Sequence, residues 1–207
     1  TLYPAGQIIY WGPLFPTLAA ALCILFGMTT RPDIIFISQL IPPVMAVAMI
    51  PVIYFIGKRM ADWRTGLLAA FFLAIIPGQY LQRSLFGYFD HHIAEVLFST
   101  LFSLGYISIL VYTKRNPVDL GKPAGLKIPA LLSLLTAGAY LLGLFTMPTM
   151  ILFALIASIA TIIFFVVDYY HKRSTKYLLL INTTVFGIAT IVSLILSTTT
   201  PGVGLAA

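Results

Sequence analysis

The amino-acid sequence predicts an all-α membrane protein, a polytopic bundle of about six spanning helices with one interfacial helix at its N-terminal end. Of the 207 residues, 60% are hydrophobic and only 9% are charged, and the mean hydropathy is +1.01. A soluble domain needs about a quarter of its residues charged to cover its surface. Here the charges lie in short clusters between long uncharged runs, which is typical of a multi-pass membrane protein.

The first apolar stretch, Trp11 to Met28, differs from the others. It is barely long enough to cross a bilayer, has Pro13 and Pro16 near its start, and is flanked by aromatic residues, Tyr10, Trp11 and Phe15, that favour the headgroup region. We therefore predict that it lies in the membrane interface.

Six further apolar runs have the length of a spanning helix, roughly 17 to 25 residues. They predict spans at Ile34 to Gly57, Thr65 to Gln82, Ile93 to Thr113, Ile128 to Thr146, Thr149 to Val167 and Tyr177 to Thr198. Several contain proline, which membrane helices tolerate when neighbouring helices satisfy the freed carbonyl groups. Kinks are expected at Pro42, Pro43, Pro51 and Pro77.

The basic residues between these runs predict the orientation of the bundle. Ten of the twelve Lys and Arg residues fall on one side of a six-span arrangement, and cytoplasmic loops are enriched in these residues. The segment Arg83 to His92, the Met147-Pro148 turn and the C-terminal tail are then extracytoplasmic. Topology thus explains the net charge of +6, and no basic face for nucleic acid is expected.

Cys23, alone of its type, lies in an apolar stretch, so it cannot form an internal disulfide and is predicted to be a packing residue. The chain starts without a methionine and stops in a polar stretch directly after an apolar run. We expect a fragment of one transmembrane domain.

One polar cluster occurs at a predicted external boundary, from Arg83 through Asp90, His91 and His92 to Glu95. Ionisable residues are costly near the apolar core and often mark functional sites. Asp90 and His92 are two residues apart, so in an extended loop their side chains point the same way.

This spacing suits a divalent metal. Mixed oxygen and nitrogen ligands favour Mn²⁺ or Mg²⁺, with Zn²⁺ as an option, although two ligands are too few for a tight site. The alternative is that Asp90 only caps the next helix, with the histidines as interfacial residues. Both interpretations remain open on the sequence.

The flanking charges have two interpretations each. Arg83 either binds a phosphate or extends to the lipid headgroups. Glu95, one turn further on, either orients a histidine ligand or merely lies in the interfacial zone.

Two stretches resemble a known family. The run Arg83-Ser84-Leu85-Phe86-Gly87-Tyr88-Phe89-Asp90-His91-His92 is similar to the second acidic motif of oligosaccharyltransferase catalytic subunits, which ends in Asp-x-His in the archaeal AglB type. Upstream, Tyr3-Pro4-Ala5-Gly6 and Tyr10-Trp11-Gly12-Pro13-Leu14 look like the end of that family's first external loop. The resemblance extends over the whole chain.

The resemblance implies part of a GT-C-like glycosyltransferase membrane domain. Residues 1–33 would end the first external loop with its interfacial helix, 34–198 would hold six spans, and 199–207 would begin another external loop. The family transfers an oligosaccharide from a dolichyl phosphate or pyrophosphate carrier to Asn in Asn-x-Ser/Thr sequons of polypeptides. This implies a multi-pass protein of the cell membrane that contacts lipids, a lipid-linked donor and an acceptor polypeptide.

The resemblance also implies roles for individual residues. Asp90 and His92 match the catalytic metal ligands for Mn²⁺ or Mg²⁺, Arg83 matches the arginine that contacts substrate or carrier phosphate, and Glu95 is a supporting residue. Another metal ligand and the sequon-reading domain would lie outside these residues, so the fragment alone is expected to be inactive.

Three other classes compete with this interpretation. They are another polyprenyl-phosphate-sugar glycosyltransferase, a multi-span transporter and a purely structural membrane subunit. A transporter should show polar residues near the bilayer midplane in two equivalent positions, and the sequence offers none.

Overall fold

The computed structural model describes residues 12–118 and 123–199, and over these residues it is helical with no strand. The helices are α1 (Leu14–Leu25), α2 (Arg31–Met60), α3 (Trp63–Ile75), α4 (Gln79–Arg83), α5 (His92–Arg115), α6 (Pro123–Thr146), α7 (Ile151–Tyr170) and α8 (Lys176–Thr199). A short 3₁₀ turn, Pro148–Met150, leads from α6 into α7. The predicted all-α fold is confirmed. The Tyr3 to Gly6 motif and the C-terminal tail lie outside the described residues.

Within the described residues, five helical segments are long and apolar enough to cross a membrane. They are Arg31–Met60, His92–Arg115, Gly125–Thr146, Pro148–Tyr170 and Lys176–Leu196. Helix α1 has 12 residues and a length of about 18 Å, which is too short for a hydrocarbon core of about 30 Å. Its interfacial location stays a prediction.

The predicted span Thr65 to Gln82 is wrong as a single long helix. Helix α3 ends at Ile75, and Ile76 is extended with φ −66° and ψ 122°. Pro77 explains this, because a proline disfavours the helical conformation of the residue before it. Gly78 then adopts φ +136°, in a region that is open almost only to glycine.

The chain returns from the far end of α2 in two pieces because of this break. Thirteen residues in α3 rise only about 20 Å. The short helix α4 follows, and the Tyr80 hydroxyl donates a hydrogen bond of 2.7 Å to the Ala46 carbonyl oxygen in the middle of α2. Helix α4 is therefore fixed beside α2 at mid-length.

Helices α2 and α3 form a tight antiparallel pair. Asp62 caps α3, and its Oδ1 accepts 2.8 Å bonds from both the backbone N–H and the hydroxyl of Thr65. The helices touch through glycines, since a Cβ added at Gly66 would lie 2.4 Å from the Tyr54 carbonyl oxygen and one at Gly57 would lie 2.8 Å from the Gly66 Cα. Small residues allow such close backbone contact between membrane helices.

Two apolar cores hold the helices together. The first joins α1, α2 and the start of α5 through Phe15, Met45, Met49, Ile93 and Leu97. The second joins the rest of α5 to α6 and α8 through Phe102, Ile109, Tyr140, Ile181 and Val185. The start of α5 therefore packs beside the middle of α2 and near α1, which determines where the polar cluster lies.

Helix α7 is attached more loosely, and polar side chains connect it to the bundle. Along its length only Ala157 and Asp168 are buried. The Thr161 hydroxyl lies 2.8 Å from the Tyr106 hydroxyl of α5 and accepts a 3.1 Å bond from Nδ2 of Asn182 in α8. These bonds satisfy polar groups that could find no water in a bilayer.

Candidate metal centre

The predicted site residues lie in and beside the loop between α4 and α5: Arg83 ends α4, Asp90 lies in the loop, and His92 and Glu95 belong to the first turn of α5. The loop turns at Gly87, which has φ +96°, and Phe89 stacks on Phe15 of α1 with ring centroids 4.7 Å apart. Asp90 precedes the helix, His91 already has helical angles of φ −71° and ψ −17°, and His92 is the first residue of α5. The fully extended backbone assumed for this spacing is therefore not what the structure shows.

The loop nevertheless brings the predicted ligands together and places a third candidate, His91, beside them. Metal-binding atoms of Asp90, His91 and His92 all lie within 4.8 Å of one another. The His91 Nδ1 is 3.4 Å from Asp90 Oδ1, and the two imidazole rings are tilted with centroids 4.4 Å apart. In a fully extended strand His91 would point to the opposite side from Asp90 and His92, whereas the backbone at His91 is helical.

Arg83 holds the Asp90 carboxylate. Its Nη1 lies 2.7 Å from Asp90 Oδ2, and its Nε donates a 2.9 Å bond to Oε1 of Gln79, one turn earlier in α4. The Asp90 side chain is 16% exposed, so water screens this ion pair only partly. A guanidinium has five N–H donors, and these two bonds leave others to reach a phosphate.

Asp90 also caps the helix that follows it. Its Oδ1 accepts a 3.2 Å bond from the backbone N–H of His92, and a carboxylate at this position is favoured by the helix dipole. The capping interpretation and the metal interpretation are thus compatible in one side chain, since a carboxylate has about four lone-pair sites.

Glu95 contacts His92, the histidine that the resemblance gave it a role in supporting. Its Oε2 lies 3.0 Å from Nδ1 of His92, one helical turn away on the same face of α5. Its other oxygen, Oε1, accepts a hydrogen bond from the hydroxyl of Thr149 in the α6–α7 turn. The cluster therefore extends from the α4–α5 loop to a second loop at the same end of the bundle.

The electrostatic surroundings favour a neutral imidazole at His91. Burial lowers the pKa of His91, and the neighbouring His92 lowers it further, while the carboxylates of Asp90 and Glu95 act in the opposite direction. A neutral histidine retains a ring nitrogen lone pair, which is the form that binds a metal.

The donor set fits a divalent cation. One carboxylate and two imidazoles offer three ligands of the kind that Zn²⁺ and Mn²⁺ accept, whereas Mg²⁺ prefers oxygen ligands and water. The second imidazole thus makes the set richer in nitrogen than Asp90 and His92 alone. A metal held here would keep positions for further ligands.

The sequence assigned no role to His91 and gave Thr149 only as the first residue of a predicted span. A third ligand could have been suspected from the Asp90-His91-His92 run itself, because all three consecutive side chains carry metal-binding atoms. Thr149 is 54 residues from Glu95 and has no local signal, since its contact depends on how α5, α6 and α7 pack.

The fold and the cluster define a multi-span membrane protein with a candidate divalent-metal site at one end of its helix bundle. Residues 1–202 match the family model described as oligosaccharyl transferase STT3, N-terminal. The chain therefore belongs to the STT3 family, and this membership confirms the resemblance seen in the sequence and disfavours the transporter and the structural subunit.

Named relatives agree with the family. The chain is 35% identical over 120 residues to dolichyl-phosphooligosaccharide-protein glycotransferase 3 of Archaeoglobus fulgidus, a match that covers 58% of this chain and 14% of that protein. It is 27% identical over 191 residues to dolichyl-monophosphooligosaccharide–protein glycotransferase AglB of Haloferax volcanii, covering 86% of this chain and 18% of that protein.

Solved structures show the same helix arrangement. The A. fulgidus oligosaccharyltransferase AglB, in complex with an inhibitory peptide and a dolichol-phosphate, matches 94% of this chain and 22% of that one, with a TM-score of 0.83 and 25% identity. The apo form of an A. fulgidus oligosaccharyltransferase matches with a TM-score of 0.84, 25% identity and the same coverage. The chain thus spans less than a quarter of the length of these relatives.

Proposed function

We propose that this chain is part of the membrane-embedded catalytic subunit of an oligosaccharyltransferase. The whole protein transfers an oligosaccharide from a dolichyl phosphate or pyrophosphate carrier to the side-chain amide of Asn in Asn-x-Ser/Thr sequons. The observation that carries the proposal is the convergence of Asp90, His91 and His92 in a loop of a membrane domain that belongs to the STT3 family. The dolichyl-linked relatives support this donor class.

In this proposal Asp90 and His92 hold a divalent metal, Mn²⁺ or Mg²⁺, and His91 is placed to add a third ligand. A bound metal supplies Lewis acidity, which stabilises negative charge on a phosphate oxygen. Arg83 fixes Asp90 through the 2.7 Å ion pair and directs its remaining N–H groups to the carrier phosphate. Glu95 fixes the ring of His92.

The cluster end of the bundle is proposed to face the extracytoplasmic side. The loop of Asp90 and the turn of Thr149 meet at this end through Glu95. At the opposite end, Lys114 in the last turn of α5 and Arg173 between α7 and α8 line one crevice, and most of the basic residues lie in the helix ends and connections on this side. The positive-inside rule supports this orientation. The acceptor peptide and the lipid-linked donor then approach from the cluster end.

The test is glycan transfer to an Asn-x-Thr peptide by the full-length parent in native membranes, which contain the lipid-linked donor. Transfer is measured for wild type, Asp90→Ala and His92→Ala, first in the presence of EDTA and then after addition of Mn²⁺ or Mg²⁺. Asp33→Ala is the matched control, because Asp33 is a carboxylate at the start of α2 whose side chain bonds Thr30. All protein levels are measured by immunoblot.

We expect transfer in wild type and Asp33→Ala that EDTA abolishes and metal restores, and little transfer in the two cluster variants. Full transfer by both cluster variants would overturn the site assignment. Glycosylation of another acceptor in place of the peptide would overturn the proposed reaction and favour a different polyprenyl-phosphate-sugar glycosyltransferase.

A further inference from the structure

The hydrogen bond between Thr149 and Glu95 joins two parts of the bundle that are far apart in sequence. Glu95 lies in the first turn of α5 and contacts His92, while Thr149 lies in the 3₁₀ turn between α6 and α7. The Thr149 hydroxyl donates to Oε1 of Glu95, and Oε2 of the same carboxylate faces Nδ1 of His92. The carboxylate therefore bridges a hydroxyl and an imidazole.

The turn that presents Thr149 is firmly built. Pro148 is its first residue, where the fixed φ of proline suits a helical start. Met150 is fully buried and packs closely against Gly143, because a Cβ added at Gly143 would lie 2.7 Å from the Met150 Cγ. The end of α6 is held as well, because the Thr146 carbonyl oxygen accepts a 3.0 Å bond from the Gly12 N–H. Thr149 thus has a defined position.

The bonds assign the proton on His92. A threonine bound to a carboxylate must donate, and an ionised carboxylate can only accept. An ionised Glu95 accepts at both oxygens, and its contact with His92 then requires the tautomer that carries the hydrogen on Nδ1. The lone pair of the neutral ring is then on Nε2, the nitrogen that remains for a metal.

We propose that Thr149 is a positioning residue for the metal centre, which acts through Glu95 to fix the ring orientation and tautomer of His92. This inference rests on the proposed function, because it concerns the metal site of the same reaction. Without the hydroxyl, the Glu95 carboxylate loses the partner that directs its second oxygen toward His92. Loss of an outer partner of a histidine ligand typically costs 10- to 100-fold in metal affinity or activity.

The test uses the full-length parent and measures peptide glycosylation across a Mn²⁺ titration after EDTA treatment. Thr149→Val removes the hydroxyl and keeps the shape, whereas Thr149→Ser keeps the hydroxyl. Thr190→Val is the matched control, since the Thr190 hydroxyl bonds the Phe186 carbonyl oxygen within α8. Glu95→Gln and the double variant of Thr149→Val with Glu95→Gln complete a cycle.

We expect Thr149→Val to raise the Mn²⁺ concentration for half-maximal transfer by about tenfold or more, with Thr149→Ser and Thr190→Val close to wild type. The double variant should be no worse than Glu95→Gln alone, because Thr149 acts through Glu95.

An unshifted Mn²⁺ dependence in Thr149→Val overturns the proposal, as does a loss of maximal rate with no shift. Additive effects of the two substitutions in the cycle also overturn it. All rates are expressed per amount of folded enzyme, so differences in protein yield between the variants do not affect the comparison. Should the wild-type parent transfer nothing, the proposed reaction fails, and should Asp90→Ala remain active, the proposed metal site fails; both results are distinct from failure of the Thr149 assignment.

Discussion

Replacing Gly66 by alanine should force helices α2 and α3 apart and destabilise the bundle. The added Cβ would lie 2.4 Å from the Tyr54 carbonyl oxygen and 3.1 Å from the backbone nitrogen of Lys58. Both are backbone atoms that cannot rotate away, and Cβ atoms essentially never approach closer than 3.0 Å. The helices must therefore separate by roughly half an ångström or more. Overpacking of this kind costs about 1–3 kcal/mol.

Gly138 in α6 provides the matched control. A Cβ at Gly138 meets nothing within 4 Å, so Gly138→Ala should gain about 0.5–1 kcal/mol from the lower conformational entropy of alanine. The same gain offsets part of the cost at Gly66, and the two variants should differ by about 2 kcal/mol. The difference is measured by unfolding the purified parent variants in detergent, once by heating and once by titration with SDS. Equal stability of the two variants would refute the close-contact argument.

Three further predictions concern the segment that carries the site. Arg83→Lys keeps the charge but cannot make the two bonds from Arg83 to Gln79 and Asp90 together. Losing the bond to the charged Asp90 should lower peptide glycosylation by the parent about 10- to 100-fold. Unchanged transfer would contradict this role. Tyr80→Phe removes the bond that attaches α4 to α2 and should cost about 1 kcal/mol of unfolding free energy. Gly78→Ala places a side chain at φ +136° and should cost about 1–3 kcal/mol, and a neutral result in the same unfolding assay would show that the turn can relax.

Hydropathy predicted most of the fold because long apolar helices need no tertiary information to be recognised. Helices α2, α5, α6, α7 and α8 fall where uncharged runs of sufficient length occur. The exception is Thr65 to Gln82, where α3 stops at Ile75. Averaged over a window, Pro77 and Gly78 lower the hydropathy little, yet the proline excludes helix at the preceding residue and the glycine permits a sharp turn. Local turn chemistry, not hydropathy, decides this segment.

Only part of the site could be predicted from the sequence. The spacing of Asp90 and His92 predicted the candidate ligand pair, and the helical position of Glu95 brought it within reach of His92. The Arg83–Asp90 ion pair needed the loop conformation around Gly87. The contribution of His91 depended on which residue begins α5, a boundary that sequence patterns leave uncertain by several residues.

The most direct test of the central claim is to measure Mn²⁺ binding to the purified full-length parent. The free Mn²⁺ that remains in solution is quantified by electron paramagnetic resonance. Asp90→Ala and His92→Ala are compared with wild type and with Asp33→Ala, which removes a carboxylate outside the cluster. We predict that wild type and Asp33→Ala bind Mn²⁺ alike and that each cluster variant binds at least about tenfold more weakly. Equal Mn²⁺ affinity in all four proteins would contradict the assignment of Asp90 and His92 as metal ligands.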